Sequence, residues 1–96
     1  MEKSEMYIIS GNYFTARYIS MITTELQKSE SSCYINYDGN PVSLKSTAEL
    51  SQLCEIVPGK KVKISCYHSD YRTAYNDLEK VRKLIEHDFT AAIESD

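Results

Sequence analysis

Residues 12–21 read Asn-Tyr-Phe-Thr-Ala-Arg-Tyr-Ile-Ser-Met, and the fold is read outward from this stretch. Thr15 stands where a helix should begin, because a hydroxyl residue is followed by Ala16, Arg17 and an apolar series, Ile19, Ile22 and Leu26, spaced three and four apart. The first backbone N–H groups of a helix have no partner within it, and Arg17 adds a permanent positive charge beside them. Thr15, Ala16 and Arg17 are therefore the candidate anion-binding residues. They form a cradle without an obvious reactive group.

Upstream, Met6, Ile8 and Ser10 alternate with Tyr7 and Ile9 as a first strand, ended by Ser10-Gly11-Asn12. Downstream, the helix runs to about Lys28, and Ser29, Glu30, Ser31 and Ser32 make a polar link. Cys33, Ile35 and Tyr37 then alternate with Tyr34 and Asn36 as a second strand. Asp38-Gly39 signals a tight hairpin, since a two-residue turn needs positive backbone angles that these residues tolerate. The third strand, Pro41 to about Leu44, is short, and its proline suits a first or edge position. Ser46-Thr47-Ala48-Glu49 spells a capping box, in which the serine oxygen accepts from a backbone N–H and the glutamate reaches back to the serine N–H. Leu50 and Leu53 give that helix its buried side.

Pro58-Gly59 breaks the chain, and Val62, Ile64 and Cys66 alternate with Lys61, Lys63, Ser65 and Tyr67 in a fourth strand. Ser69 or Asp70 can cap the last helix, whose apolar stripe is Ala74, Leu78, Val81 and Ile85, with Phe89 as its furthest extent. The order βαββαβα predicts an α+β fold, a four-stranded antiparallel sheet with three helices on one face. The pattern alone also fits a ferredoxin-like domain.

A chain of 96 residues supports one core and no second domain. The expected domain is 1–96, with its core over about 5–89 and a frayed tail at 90–96. Apolar runs are too short to cross a bilayer and no signal peptide is visible, which predicts a cytoplasmic protein without membrane partners. A net charge of -3 argues against nucleic acid, which is normally held by a basic surface. Cys33, Cys54 and Cys66 have neither metal-ligand nor redox spacing, so no metal and no cofactor is expected, and the cysteines read as small buried hydrophobes. A core disulfide between Cys33 and Cys66 is the alternative.

Three motifs together resemble a known family. Ala16-Arg17 just inside the first helix, Tyr37-Asp38-Gly39 before a short strand, and Leu44-Lys45-Ser46 before a second short helix are similar to HPr, the small phosphocarrier of the bacterial sugar phosphotransferase system. The resemblance runs without a gap over residues 6–53 and, with one extra residue near Pro58, continues to about residue 89. It implies the family's open-faced β-sandwich. In HPr the residue before Ala-Arg is the histidine that carries the phosphoryl group, and here it is Thr15; the family's following proline is Tyr18, and its glycine two before the histidine is Tyr13. A threonine hydroxyl cannot serve as a reversible nitrogen carrier of phosphate. The resemblance thus implies a family member without the active histidine, as in the regulatory protein Crh, and not an enzyme.

Ser46 matches the serine that a dedicated HPr kinase phosphorylates in many relatives, and the capping box explains it equally well. Bulky apolar residues follow that serine in the family, whereas here Thr47, Ala48 and Glu49 do. The implied partners are proteins: HPr kinase, or a transcription regulator in the control of sugar transport. The chain also holds eight tyrosines. Strand parity places Tyr7, Ile9, Tyr34 and Tyr67 on the sheet face opposite the helices, where they could form a homodimer or partner interface, or simply stabilise an exposed sheet. His68 and His87 lie away from a positively charged helix start and read as surface residues.

Overall fold

In the computed structural model, which describes residues 1–11 and 13–87, four strands form one antiparallel sheet in the order β1-β4-β2-β3. The strands are β1 Glu2–Ile9, β2 Ser32–Tyr37, β3 Asn40–Ser43 and β4 Lys61–His68. Three helices, α1 Ala16–Leu26, α2 Thr47–Leu50 and α3 Tyr71–Arg82, interrupt them in the expected order. A 3-10 turn, Ser51–Glu55, continues α2, and one wider π-type turn, Lys83–His87, continues α3.

The core lies between the helices and one face of the sheet. Ile8, Cys33, Ile35, Val42, Val62, Ile64 and Cys66 come from the strands. Ile19, Ile22 and Leu26 meet them from α1, Leu50 from α2, and Leu78 and Val81 from α3. These are the positions that period-two and period-3.6 spacing marks as buried, and each fully buried Leu or Ile contributes about 1.5–3 kcal/mol relative to exposure. Ile85, one helical turn beyond Val81, is also fully buried, so the π-type turn keeps the stripe on the core. The extension of the last helix to Phe89 and the frayed tail fall outside the described residues.

The β2–β3 hairpin closes as its sequence requires. Tyr37 pairs with Asn40, leaving a two-residue turn in which Asp38 has φ 51° and Gly39 has φ 81°. Both angles are positive, the type I′ condition that Asp-Gly meets with least strain.

Strand β1 starts earlier than the alternation suggests. Glu2 already pairs with His68, and Ser4 is buried opposite Cys66. Glu2, Lys3 and Glu5 hide this segment from a search for apolar alternation, because its core-facing residue is a serine and its outward residues are charged. Pairing with β4 supplies the backbone hydrogen bonds that hold it as a strand.

One buried polar contact ties distant segments together. Asp77 of α3 accepts a hydrogen bond from the Ser31 N–H at 3.0 Å, across 46 residues of sequence. Both residues are buried. The contact fixes the polar link between α1 and β2 against the last helix.

Candidate functional site

The N-terminus of α1 is built by its cap. Thr15 has extended backbone angles, φ -73° and ψ 162°, and its hydroxyl oxygen accepts from Tyr18 N–H at 3.2 Å. Regular helix bonding starts at Ile19, whose N–H reaches Thr15 O at 2.9 Å. The N–H groups of Ala16 and Arg17 are left without partners among the described residues, and no ion pair there engages Arg17. Thr15, Ala16 and Arg17 are all exposed. The structure thus brings these three residues together at one solvent-facing helix start, where a guanidinium and two N–H groups that have no partner among the described residues can meet an anion.

Two neighbours shape this site. Phe14 is buried beneath it, and its ring lies 5.5 Å from that of Tyr18. The Tyr18 hydroxyl donates to Leu84 O at 2.9 Å and lies 3.4 Å from Ile85 O, so the first turn of α1 is joined to the turn that ends α3. Sequence reading did not find this contact, which spans 66 residues. The one signal for it was a tyrosine in a first turn whose core positions are already taken.

Ser46 caps α2, its hydroxyl accepting from Glu49 N–H at 3.2 Å. The other half of the expected capping box does not form. Glu49 Oε1 accepts from Ser43 N–H at 3.3 Å, while Ser46 N–H donates to Ser43 O at 3.3 Å. The chain turns back on itself at Ser43, which brings a second unpaired N–H within the glutamate's reach and satisfies Ser46 N–H locally. Gln27, just past the end of α1, donates from Nε2 to Lys45 O at 3.4 Å. Ser46 is therefore beside the C-terminal end of α1, and Thr15 lies about 18 Å along the helix axis toward the other end.

Tyr7, Ile9, Tyr34 and Tyr67 share the open face of the sheet but do not form one patch. Across the β1–β4 pair, Ile9 faces Lys61, Tyr7 faces Lys63, and Glu5 faces Ser65. Glu5 receives Lys63 at 3.6 Å, Lys3 at 3.6 Å and the Ser65 hydroxyl at 3.3 Å. Desolvation raises the Glu5 pKa, but Lys3, Lys63 and Ser65 outweigh it and hold the carboxyl below its ordinary range. This polar row separates two aromatic groups. On one side Tyr7 is 64% and Ile9 50% exposed, with Lys61 Nζ 4.7 Å from the Tyr7 ring centre. On the other, Tyr34 and Tyr67 meet edge to face at 5.8 Å. They line an open groove of ≈ 500 Å³ with Met1, Ser32, Asn36 and Pro41.

His68 stands at the end of β4. Its Nδ1 accepts from Asp70 N–H at 2.9 Å and its Nε2 lies 3.4 Å from Glu30, a structural arrangement at the turn into α3. Among the described residues no three His, Cys, Asp or Glu side chains converge on a metal position. No helix there is long and apolar enough to cross a membrane.

No protein-family model matches this chain, and no curated protein does. Solved structures match it over most of its length. The phosphocarrier protein HPr from Bacillus anthracis str. Ames superposes with a TM-score of 0.76 at 22% identity, covering 90% of this chain and 100% of that one. The fold is that of HPr. HPr-C-His from Thermoanaerobacter tengcongensis is similar at a TM-score of 0.65 and 24% identity, over 94% of this chain and 97% of that one. Crh of Bacillus subtilis, which forms an intertwined dimer by domain swapping, is similar at a TM-score of 0.53 and 20% identity, over 88% and 91% of the two chains. The HPr fold is the open-faced sandwich expected from the sequence, and it excludes the ferredoxin-like alternative.

Proposed function

We propose that this chain is an HPr-like regulatory or protein-binding module, related to the bacterial phosphotransferase system, that does not relay phosphate through histidine. One observation carries the reading: the side chain at the open start of α1 is a hydroxyl, and it is engaged as the helix cap. An imidazole takes up and releases a phosphoryl group near neutral pH because its nitrogen titrates there. A threonine oxygen does not, and a phosphoryl ester on it would be a stable modification rather than a relay intermediate. The module therefore acts by docking, with Arg17 and the free N–H groups of the first turn receiving an acidic group of a protein partner. On this reading it is not an enzyme and works in the bacterial cytoplasm.

Ser46 favours a second, Crh-like version in which HPr kinase phosphorylates that residue. Its half-buried hydroxyl sits at the N-terminus of α2, where a phosphate is favoured by the helix dipole. The dimeric state of Crh adds a homodimer as the alternative mode of action.

One labelling experiment with two arms tests these readings. Phosphoenolpyruvate and the first phosphotransferase enzyme should leave no acid-labile phosphate on the purified protein, and incorporation there would refute the central proposal. HPr kinase with ATP should give acid-stable phosphate that disappears in Ser46→Ala if the Crh-like version holds; no incorporation removes that version alone.

A further inference from the structure

Cys33 and Cys66 are direct partners across β2 and β4, the two central strands of the sheet. Both are buried, and their sulfurs are 3.0 Å apart. The backbone decides what this pair can do. Cys33 O accepts from Leu44 N–H at 2.9 Å, on the β3 side. In an antiparallel ladder the N–H and C=O of one residue point to the same neighbour, so the backbone of Cys33 points away from β4. Cys33 and Cys66 therefore form a non-hydrogen-bonded pair, the kind in which Cα atoms lie about 4.5 Å apart and side chains are closest. That separation is inside the range of about 4.4–6.8 Å that a disulfide spans.

We propose that Cys33 and Cys66 are a redox pair that closes to a disulfide across β2 and β4 when the protein meets a peroxide, with no rearrangement of the sheet. Both sulfurs are buried, so the peroxide reaches them during brief local openings of the structure. The Cys33 thiolate attacks one peroxide oxygen, an S–O bond forms as the O–O bond breaks, and the departing hydroxide takes a proton to become water. Cys33 is then a sulfenic acid, two electrons more oxidised. The Cys66 sulfur attacks it and forms the S–S bond while its own proton leaves with the expelled hydroxide as a second water. The balance is two thiols and one peroxide giving one disulfide and two waters.

The surroundings suit this order of attack. The Cys66 thiol donates to Cys33 and draws its pKa down, against burial and the nearby Asp77 carboxylate, while Lys45 assists. The same hydrogen bond, with burial, pushes Cys66 up. Cys54 is exposed on the 3-10 turn and takes no part.

The test uses the full chain carrying Cys54→Ser, so that only the buried pair remains. After peroxide treatment, unfolding in denaturant and alkylation, the expected product is a monomer lacking two hydrogens, unalkylated at both cysteines and restored by dithiothreitol. Because the link ties segments 33 residues apart, the thermal midpoint of the oxidised protein should rise by roughly 15–20 °C over the reduced form. The far-UV circular dichroism should be unchanged. Alkylation of both thiols after treatment, separate sulfinic acids, a disulfide-linked dimer, or loss of the sheet signal on oxidation would each overturn the proposal. Cys33→Ala serves as the control in which no intramolecular link forms.

Discussion

Replacing Asp77 should expose how the last helix is fastened to the rest of the sandwich. Its carboxylate accepts from Ser31 N–H at 3.0 Å, and that N–H belongs to a residue with 0% exposure. In Asp77→Ala the N–H is left buried without an acceptor, which costs about 1–3 kcal/mol. For a chain of this size each kcal/mol moves the thermal midpoint by about 4–8 °C, so a central value of 2 kcal/mol lowers it by roughly 8–16 °C. Asp77→Asn keeps an oxygen facing Ser31 and loses only the charge, which is about half the strength of such a bond. It should therefore lose about half as much. Urea and thermal unfolding followed by circular dichroism measure both variants, with an unchanged urea slope showing that only stability has moved. Equal losses in the two variants, or a loss below about 0.5 kcal/mol in the alanine variant, would refute the assignment of this bond as the tie between α3 and the α1–β2 link.

Asp70 caps α3, and the Thr73 hydroxyl it binds, followed by the backbone N–H groups of Thr73 and Arg72, outweighs desolvation and holds its carboxyl below the ordinary range. A depressed folded-state pKa gives stability that is present above the unfolded value of about 3.9 and lost as pH falls through the folded value. The midpoint difference between the native chain and Asp70→Ala should thus hold steady near neutrality and close in strong acid; a difference that widens in acid contradicts the cap. Tyr18→Phe removes the donor to Leu84 O and should cost about 1 kcal/mol, with hydrogen exchange rising in the turn after α3. Unchanged exchange there would mean that the hydroxyl does not hold the turn.

The sequence made the elements legible wherever side-chain chemistry is local. Thr15 with Ile19, Ile22 and Leu26 specifies both the start and the buried side of α1, and Asp38-Gly39 specifies the hairpin down to its two-residue turn. Partners that are chosen across the chain were not legible. Strand parity put Tyr7, Tyr34 and Tyr67 on one face, but only the β1–β4 and β2–β4 registers reveal Glu5, Ser65 and Lys63 lying between them. The capping motif at Ser46 predicted what Glu49 would accept from, and the backbone at Ser43 offered a competing N–H. Asp77 carries no pattern at all, because its partner is a backbone N–H that any residue but proline at position 31 would provide.

Tyr18 bears on the proposed docking role of the start of α1, because its two hydrogen bonds hold that turn in place. A proline at that position, as in the HPr family, has no N–H to give to a cap and no hydroxyl to give to another segment. Tyrosine supplies both: its backbone N–H satisfies Thr15 Oγ1 at 3.2 Å, and its hydroxyl reaches Leu84 O at 2.9 Å. The cap and the tyrosine work together, since the N–H that Thr15 accepts from in this structure is that of residue 18. Their joint effect is to fix the first turn against the end of α3 while Ala16 and Arg17 stay exposed. A phosphoryl relay needs a side chain there that changes protonation and releases what it takes up. Under the proposed function, a permanently positive helix start needs neither property, and its role would be to hold an acidic group of a partner in place.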